Sequence, residues 1–171
     1  MINQAIQDAL NKQINEEMYS SYLYLQMSAW FDSLNLPGFA VWMQAQSQEE
    51  TVHAMKIYRY VLDRGGKVSL AAIAEPPTEW QSPLAAFEAA LGHERHITGC
   101  FDKLVDVACE QKDNATGIFL QWFVTEQVEE EANADLIVEK LKMVGESSQG
   151  LLVLDRELGA RGAAGEAEAG E

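Results

Sequence analysis

Four long segments of this chain repeat apolar residues at the 3.6-residue period of an α-helix. Near the middle of each segment, a carboxylate or its amide interrupts the apolar stripe. Removing a charge from water costs several kcal/mol unless the charge is compensated. Because all four helices carry such a residue at about the same height, the pattern indicates a shared partner in the interior of the fold.

The first two segments run from about residue 4 to 33 and from about residue 37 to 64. The third starts with Ser82 as its N-cap and Pro83 as its first helical residue. The fourth follows the turn QKDNA. About 17 residues around KVSLAAIAEPPTEWQS separate the second segment from the third, and a connection of that length is typical of a bundle with a crossover along its side. A shorter segment, LLVLDRELGA, follows a break framed by Gly145 and Gly150. We therefore predict an all-α fold, a four-helix bundle with a long crossover between helices 2 and 3 and a short fifth C-terminal helix.

The interrupting residues repeat along the chain. Glu17 and Glu50 are 33 residues apart (50 − 17), and so are Glu94 and Gln127 (127 − 94). Adding 77 to the numbers of four polar residues in the first half, Glu17, Glu49, Glu50 and His53, gives Glu94, Glu126, Gln127 and Glu130. The chain thus contains two helical hairpins, each with one Glu on its first helix and a pair three residues apart on its second, where such residues share a face.

Packing the two hairpins together brings six side chains to one place inside the bundle: Glu17, Glu50, His53, Glu94, Gln127 and Glu130. Oxygen ligands with one imidazole suit a pair of intermediate cations such as Fe(II) or Mn(II). The set contains no thiolate, which argues against a structural zinc site. A bound metal would neutralise the buried carboxylates and explain why the chain places them there.

The net charge of −15 favours cations as partners and argues against nucleic acid and anionic membrane surfaces. The N-terminus has no signal-peptide pattern and no window approaches 18 consecutive apolar residues, so we expect a cytoplasmic protein that does not span a membrane. Residues 1–160 are expected to form one domain. The low-complexity acidic segment 161–171, RGAAGEAEAGE, is expected to be a disordered tail.

Four stretches, NKQINEEMYSSYLYLQM, SQEETVHAMKIY, EPPTEWQSPLAAFEAALGHE and LQWFVTEQVEEEA, resemble the non-haem ferritins of bacteria and archaea. The resemblance covers about residues 1–160 and implies a ferritin-like bundle with a di-iron ferroxidase centre. One iron would bind Glu17, Glu50 and His53. The other would bind Glu50, Glu94 and Glu130, so that Glu50 bridges the pair, with Gln127 as a hydrogen-bonding or weak ligand beside it.

The resemblance also implies a third iron site near the pair, at Glu49, Glu126, Glu129 and Glu130, and makes Tyr24 a candidate donor of one electron. Fe(II) would be oxidised to Fe(III) by O₂ or peroxide, and a ferric mineral would form inside a hollow homo-oligomeric shell of 24 subunits. The fifth helix would line symmetry axes of that shell. Thr51 stands where haem-binding ferritins have a Met, so we expect no haem.

Two alternatives to iron storage remain open. The first is a di-iron carboxylate redox enzyme, such as a rubrerythrin-like peroxidase, that stores no mineral; Gln127-x-x-Glu130 and the absence of a CxxC domain argue against it. The second is a non-catalytic scaffold subunit, which would lack ligands that this chain has. His93 and His96 flank Glu94 and could form a surface zinc or iron-entry site, but we interpret them as exposed helix histidines.

Overall fold

The computed structural model describes the backbone of residues 2–168 and the side chains of residues 2–160. Within that range the fold is all-helical, which confirms the prediction of an all-α bundle. The helices are α1 (Gln4–Ser33), α2 (Pro37–Asp63), α3 (Pro83–Glu110), α4 (Asn114–Val144) and α5 (Ser148–Glu168). The predicted disordered tail, 161–171, lies outside the residues whose side chains are described and stays a prediction.

The helix ends follow their capping residues. The Asn3 side chain accepts a hydrogen bond from the Ala5 N–H at 2.8 Å, and Ser82 caps α3 through the Ala85 N–H at 3.1 Å. Pro83 occupies the first turn of α3, where its missing N–H is not needed. The turn residue Lys112 has a positive φ of 54°, which lets α4 start close behind the end of α3.

The α1–α2 pair and the α3–α4 pair form two hairpins, and α1 packs against α3. The crossover between the hairpins runs in extended form along α1, held by two Asn side chains. Asn11 donates to the Lys67 carbonyl at 3.0 Å and accepts from the Ser69 N–H at 3.1 Å. Asn15 donates to the Ala72 carbonyl at 3.2 Å, so the backbone of this long connection finds polar partners without forming a helix or strand.

Apolar side chains fill the bundle in two separate clusters. The first core cluster lies at the end covered by α5 and includes Phe31, Phe39 and Phe87. The second core cluster lies at the other end and includes Phe101 and Phe123. Each of the four long helices contributes to both clusters, and its interrupting polar residues fall between the two. The buried polar groups therefore form one layer across the middle of the bundle.

Helix α5 packs against α2 and makes a smaller contact with α4. The N-terminus of α2 has no side-chain cap of its own, because its N-cap residue is Leu36. Asp155 of α5 supplies the missing acceptor and takes a hydrogen bond from the Phe39 N–H at 3.1 Å. The contact is close enough that a Cβ at Gly38 would lie 1.7 Å from the Asp155 carbonyl oxygen.

No helix among residues 2–168 combines the length and the apolar character needed to cross a lipid bilayer.

We predict that Gly38→Ala displaces α5 and destabilises the protein by about 1–3 kcal/mol, because the new methyl group overlaps the α5 backbone. Hydrogen exchange of residues 148–160 and the thermal midpoint would measure the effect. Gly92→Ala is the matched control, because a Cβ there meets nothing within 4 Å; it should add about 0.5–1 kcal/mol of stability. Unchanged exchange in α5 of the Gly38 variant would contradict the prediction.

Asp113 joins the two hairpins at the end remote from α5. Its carboxylate accepts from Arg64 Nη2 at 2.8 Å and from the Thr116 N–H at 3.0 Å, which caps α4. The Arg64 guanidinium and the Thr116 N–H hold the pKa of Asp113 below its usual range. This carboxylate therefore stabilises the fold at pH values above its unfolded-state pKa of about 3.9. The stabilisation is lost as the pH falls through its lower pKa in the folded state.

We predict that Asp113→Asn lowers the free energy of unfolding by about 1 kcal/mol at neutral pH, because the neutral amide still caps α4 but loses the ion pair. The difference from the unsubstituted protein should vanish below the folded pKa of Asp113. Thermal midpoints recorded from neutral to acidic pH would test this. The exposed Asp106 on α3 offers a control, Asp106→Asn, which should not reproduce the pH-dependent difference.

Candidate metal centre

The polar layer brings together all six side chains that the sequence places in the interior. They come from four helices, and none is more than 5% exposed. Tyr24 lies in the same region and is 1% exposed. Such complete burial of carboxylates is rare unless they are paired or coordinate a metal.

Glu17, Glu50 and His53 form the first group of candidate ligands. His53 Nδ1 lies 3.6 Å from Glu17 Oε2 and 3.4 Å from Glu50 Oε2. Within the described part of the chain, none of these three buried atoms has a hydrogen-bond partner. Three buried ligand atoms, two of them carboxylate oxygens, thus lie close together without hydrogen bonds. This is the arrangement expected of residues that bind a cation.

Glu94 and Glu130 are held by hydrogen bonds instead. The Tyr24 hydroxyl donates to Glu94 Oε1, and Gln127 Nε2 donates to Glu94 Oε2 at 3.2 Å. Gln46 Nε2 donates to Glu130 Oε2 at 2.7 Å. The two halves of the centre therefore differ: the atoms near His53 lack hydrogen-bond partners, and the carboxylates near Tyr24 are held by hydrogen bonds.

Burial dominates the electrostatics of the layer. Burial raises the pKa of Glu50 well above its usual value, and it also raises the pKa of Glu94. Burial and the charge of Glu94 together raise the pKa of Glu130 to about 7. Burial lowers the pKa of His53, but the carboxylates of Glu17 and Glu50 outweigh it and raise that pKa to about 10. Without a cation the layer retains protons, so a metal that binds here must displace them.

Tyr24 remains a neutral phenol. Burial and the nearby charge of Glu94 raise its pKa well above the usual value of 10. Its hydroxyl therefore keeps its proton and donates it in the hydrogen bond to the Glu94 carboxylate.

Two buried glutamines support the centre, and the sequence analysis did not assign either of them to it. Gln13 Nε2 donates to Glu17 Oε1 at 2.6 Å, and Gln46 holds Glu130 as described above. The signal was present, because Gln13 and Gln46 are also 33 residues apart (46 − 13) and each precedes a stripe Glu by four residues. At that spacing Gln13 faces Glu17 on its own helix, whereas Gln46 bonds Glu130 on α4 and not Glu50.

Of the four residues expected at a third iron site, two lie close together beside the buried layer and two are exposed. Glu126, Glu130 and His53 offer ligand atoms within 4.8 Å of one another. Glu49 is exposed, and its charge contributes to the raised pKa of Glu130. Glu129 is exposed and belongs to neither buried group of candidate ligands.

Aromatic side chains close one side of the centre. The His53 ring packs edge-on against Trp122 and Phe123, with ring centroids 5.3 Å and 6.0 Å away. Lys56 Nζ lies 3.1 Å from the centre of the Trp122 ring. These rings fix the orientation of the imidazole and limit the access of water to it.

The interpretation of His93 as an exposed residue is wrong, whereas His96 is exposed as expected. His93 Nε2 lies 2.7 Å from the Ser20 hydroxyl, and its ring packs edge-on against Tyr19 and Tyr24. Burial lowers the pKa of His93 to about 4, so its ring is neutral at physiological pH. The period of α3 alone could not reveal this, because the contact depends on how α1 packs against α3.

Comparison with known proteins shows the family of this chain. Residues 7–144 match the model of the ferritin-like domain family. The chain is 47% identical over 161 residues to a "Bacterial non-heme ferritin" of Bacteroides fragilis, covering 94% of this chain and 100% of that protein. It is 42% identical to a protein of the same name from Staphylococcus saprophyticus, covering 94% of this chain and 96% of that protein.

Among solved structures, an open pore ferritin from the archaeon Archaeoglobus fulgidus superposes with a TM-score of 0.92 and 54% identity. The match covers 93% of this chain and 98% of that one. The similarity thus spans all four long helices and the crossover.

Proposed function

Because this chain belongs to the ferritin family, we propose that it stores iron, oxidising Fe(II) to Fe(III) at a di-iron centre in the middle of its bundle and depositing the product as a ferric mineral. One observation carries the proposal. Six ligand-type side chains from two matching hairpins meet in a layer that is at most 5% exposed, and three of their ligand atoms have no hydrogen-bond partner among the described residues.

In this proposal the first iron binds Glu17, Glu50 and His53, whose unpartnered atoms already converge. The second binds Glu50, Glu94 and Glu130, with Glu50 bridging. Glu94 and Glu130 are oriented beforehand by Tyr24, Gln127 and Gln46. Iron would replace the protons that the layer otherwise retains.

The ligands favour oxidation. Hard carboxylate oxygens in a site of low polarity stabilise Fe(III) more than Fe(II), because the energy of the ion–carboxylate attraction grows with the charge of the ion. Two adjacent Fe(II) ions can each give one electron to a shared O₂ or peroxide. Tyr24, a buried neutral phenol bonded to a ligand of the second iron, is placed to supply a further electron together with its proton.

Glu49, Glu126 and Glu129 are proposed to form a third iron position with Glu130 on the solvent side of the pair. Glu126 is partly buried, and Glu49 and Glu129 are exposed, so a ferric product that leaves past them would move from the buried centre towards solvent. The net charge of −15 favours the approach of Fe(II).

We also propose a cytoplasmic homo-oligomeric shell, of 24 copies by analogy with the family, with no bound haem because Thr51 replaces the haem-ligand Met. The open pore ferritin of A. fulgidus supports a shell, since it matches this chain along almost its full length. Helix α5, which packs on the end of the bundle, is available to line contacts between copies.

The main alternative is a di-iron enzyme acting on an organic substrate. The burial of the centre argues against it, because the six candidate ligands are at most 5% exposed and so leave little surface for an organic substrate to contact. A non-catalytic scaffold subunit is disfavoured by the full ligand set.

We predict that the double substitution His53→Ala and Glu130→Ala reduces the rate of fast Fe(II) oxidation by about tenfold to a hundredfold or more. Substituting residues that only support metal ligands already causes losses of that size, and here the ligands themselves are removed. One ligand of each iron is removed, while both apolar clusters stay intact. Stopped-flow absorbance after aerobic Fe(II) addition would measure the rate. Glu88→Ala, an exposed carboxylate on the same helix as Glu94, is the control and should keep the rate.

Circular dichroism and light scattering of the double variant belong to the same experiment. We expect helicity and particle size to be unchanged, since packing does not depend on the metal. Full oxidation rates in a correctly assembled double variant would contradict the assignment of the centre.

A second measurement separates storage from a soluble di-iron enzyme. Fe(II) is added aerobically, in large excess, to the metal-free protein, and iron per particle is determined after size separation. Storage predicts a large particle that retains far more iron than the three positions per chain described above. A small oligomer that stops at two or three irons per chain would instead support the enzyme.

A further inference from the structure

Glu16, His96 and Cys100 form a further group of ligand-type side chains, where α1 and α3 meet near the surface. Their candidate ligand atoms all lie within 4.8 Å of one another. In the sequence, Glu16 directly precedes the buried Glu17, and His96 lies two residues after Glu94. The group nevertheless shares no residue with the di-iron centre, and it offers a ligand type that the centre lacks, a thiol.

The spacing of these atoms fits a tetrahedral metal site. His96 Nε2 lies 3.3 Å from Glu16 Oε2 and 3.6 Å from Cys100 Sγ. Metal–ligand bonds of about 2.0–2.3 Å to oxygen, nitrogen and sulfur imply ligand–ligand separations of roughly 3.3–3.7 Å at the tetrahedral angle. Both separations from His96 fall in this range, and the Glu16 and Cys100 atoms lie within 4.8 Å of each other.

The group borders a cavity of about 130 Å³, which leaves room for a water molecule as a fourth ligand. His96 is exposed, and Glu16 and Cys100 are partly buried, so a cation can reach the group from solvent. Lys12 and Lys103 also line the cavity. Their positive charges oppose a free cation but balance the combined negative charge of a carboxylate and a thiolate.

We propose that Glu16, His96 and Cys100 bind one borderline divalent cation, such as Zn²⁺ or Co²⁺, at a site distinct from the di-iron centre. The donor set selects the class of cation, because thiolate and imidazole favour these ions over Mg²⁺ and Ca²⁺. In the metal-free protein, burial and the Glu16 carboxylate raise the pKa of the Cys100 thiol, so the cation displaces the thiol proton as it binds.

Gln13 connects this site with the buried layer. It lines the same cavity and donates a hydrogen bond to Glu17 Oε1 at 2.6 Å. A cation held by Glu16, His96 and Cys100 therefore lies one side chain away from a ligand of the first iron. Binding at the outer site does not depend on the inner centre holding iron.

Co²⁺ titration of the metal-free protein tests the proposal, because a Co²⁺–thiolate bond has a near-ultraviolet charge-transfer band that oxygen and imidazole ligands cannot produce. We expect this band within a few equivalents of Co²⁺ per chain. Cys100→Ala should abolish it, and Cys109→Ala, which removes the other cysteine of the chain, should leave it unchanged. His96→Ala should weaken Co²⁺ binding by about tenfold or more.

A measurement on the unsubstituted protein complements the variants. Zn²⁺ should slow the alkylation of Cys100, read by peptide mapping, while the exposed Cys109 reacts at its original rate. No thiolate band, a band that survives Cys100→Ala, or equal alkylation of Cys100 with and without Zn²⁺ would overturn the proposal. These results would leave the iron-storage function untouched, since the di-iron centre has no sulfur ligand.

Discussion

The burial of several carboxylates at one level of a helical bundle is the constraint on which the rest of this structure depends. Four helices must each interrupt their apolar stripe at the same height, so the core divides into two clusters, one on either side of the polar layer. Each cluster must then stabilise its own end of the bundle. At one end α5 covers the aromatic residues, and at the other the Arg64–Asp113 pair joins the hairpins.

Much of this architecture could be predicted from the sequence, because it follows from spacing within single helices. The apolar period and the breakers placed all four long helices, and the repeated 33-residue spacing identified six residues that do meet in the interior. Their roles as iron ligands remain a prediction, since proximity and burial show only that a cation fits.

The remaining features depend on contacts between helices, which no period encodes. Three features follow from how one helix is rotated against another: the contact of His93 with Ser20, the cap that Asp155 provides for α2, and the grouping of Glu16 with His96 and Cys100. Gln13 and Gln46 are an intermediate case, because their spacing was visible in the sequence but their partners were not.

The 77-residue offset between the two hairpins also bears on how the centre could have acquired two unequal halves. Two copies of one hairpin, paired as separate chains, would have to give both cations the same surroundings. Joined by the crossover along α1, the halves are free to diverge, and they have done so: Glu50 and His53 correspond to Gln127 and Glu130. One half carries unpartnered donor atoms, and the other carries carboxylates already held in place. A covalent link between the two matching hairpins thus permits a difference between the halves that two-fold symmetry would forbid.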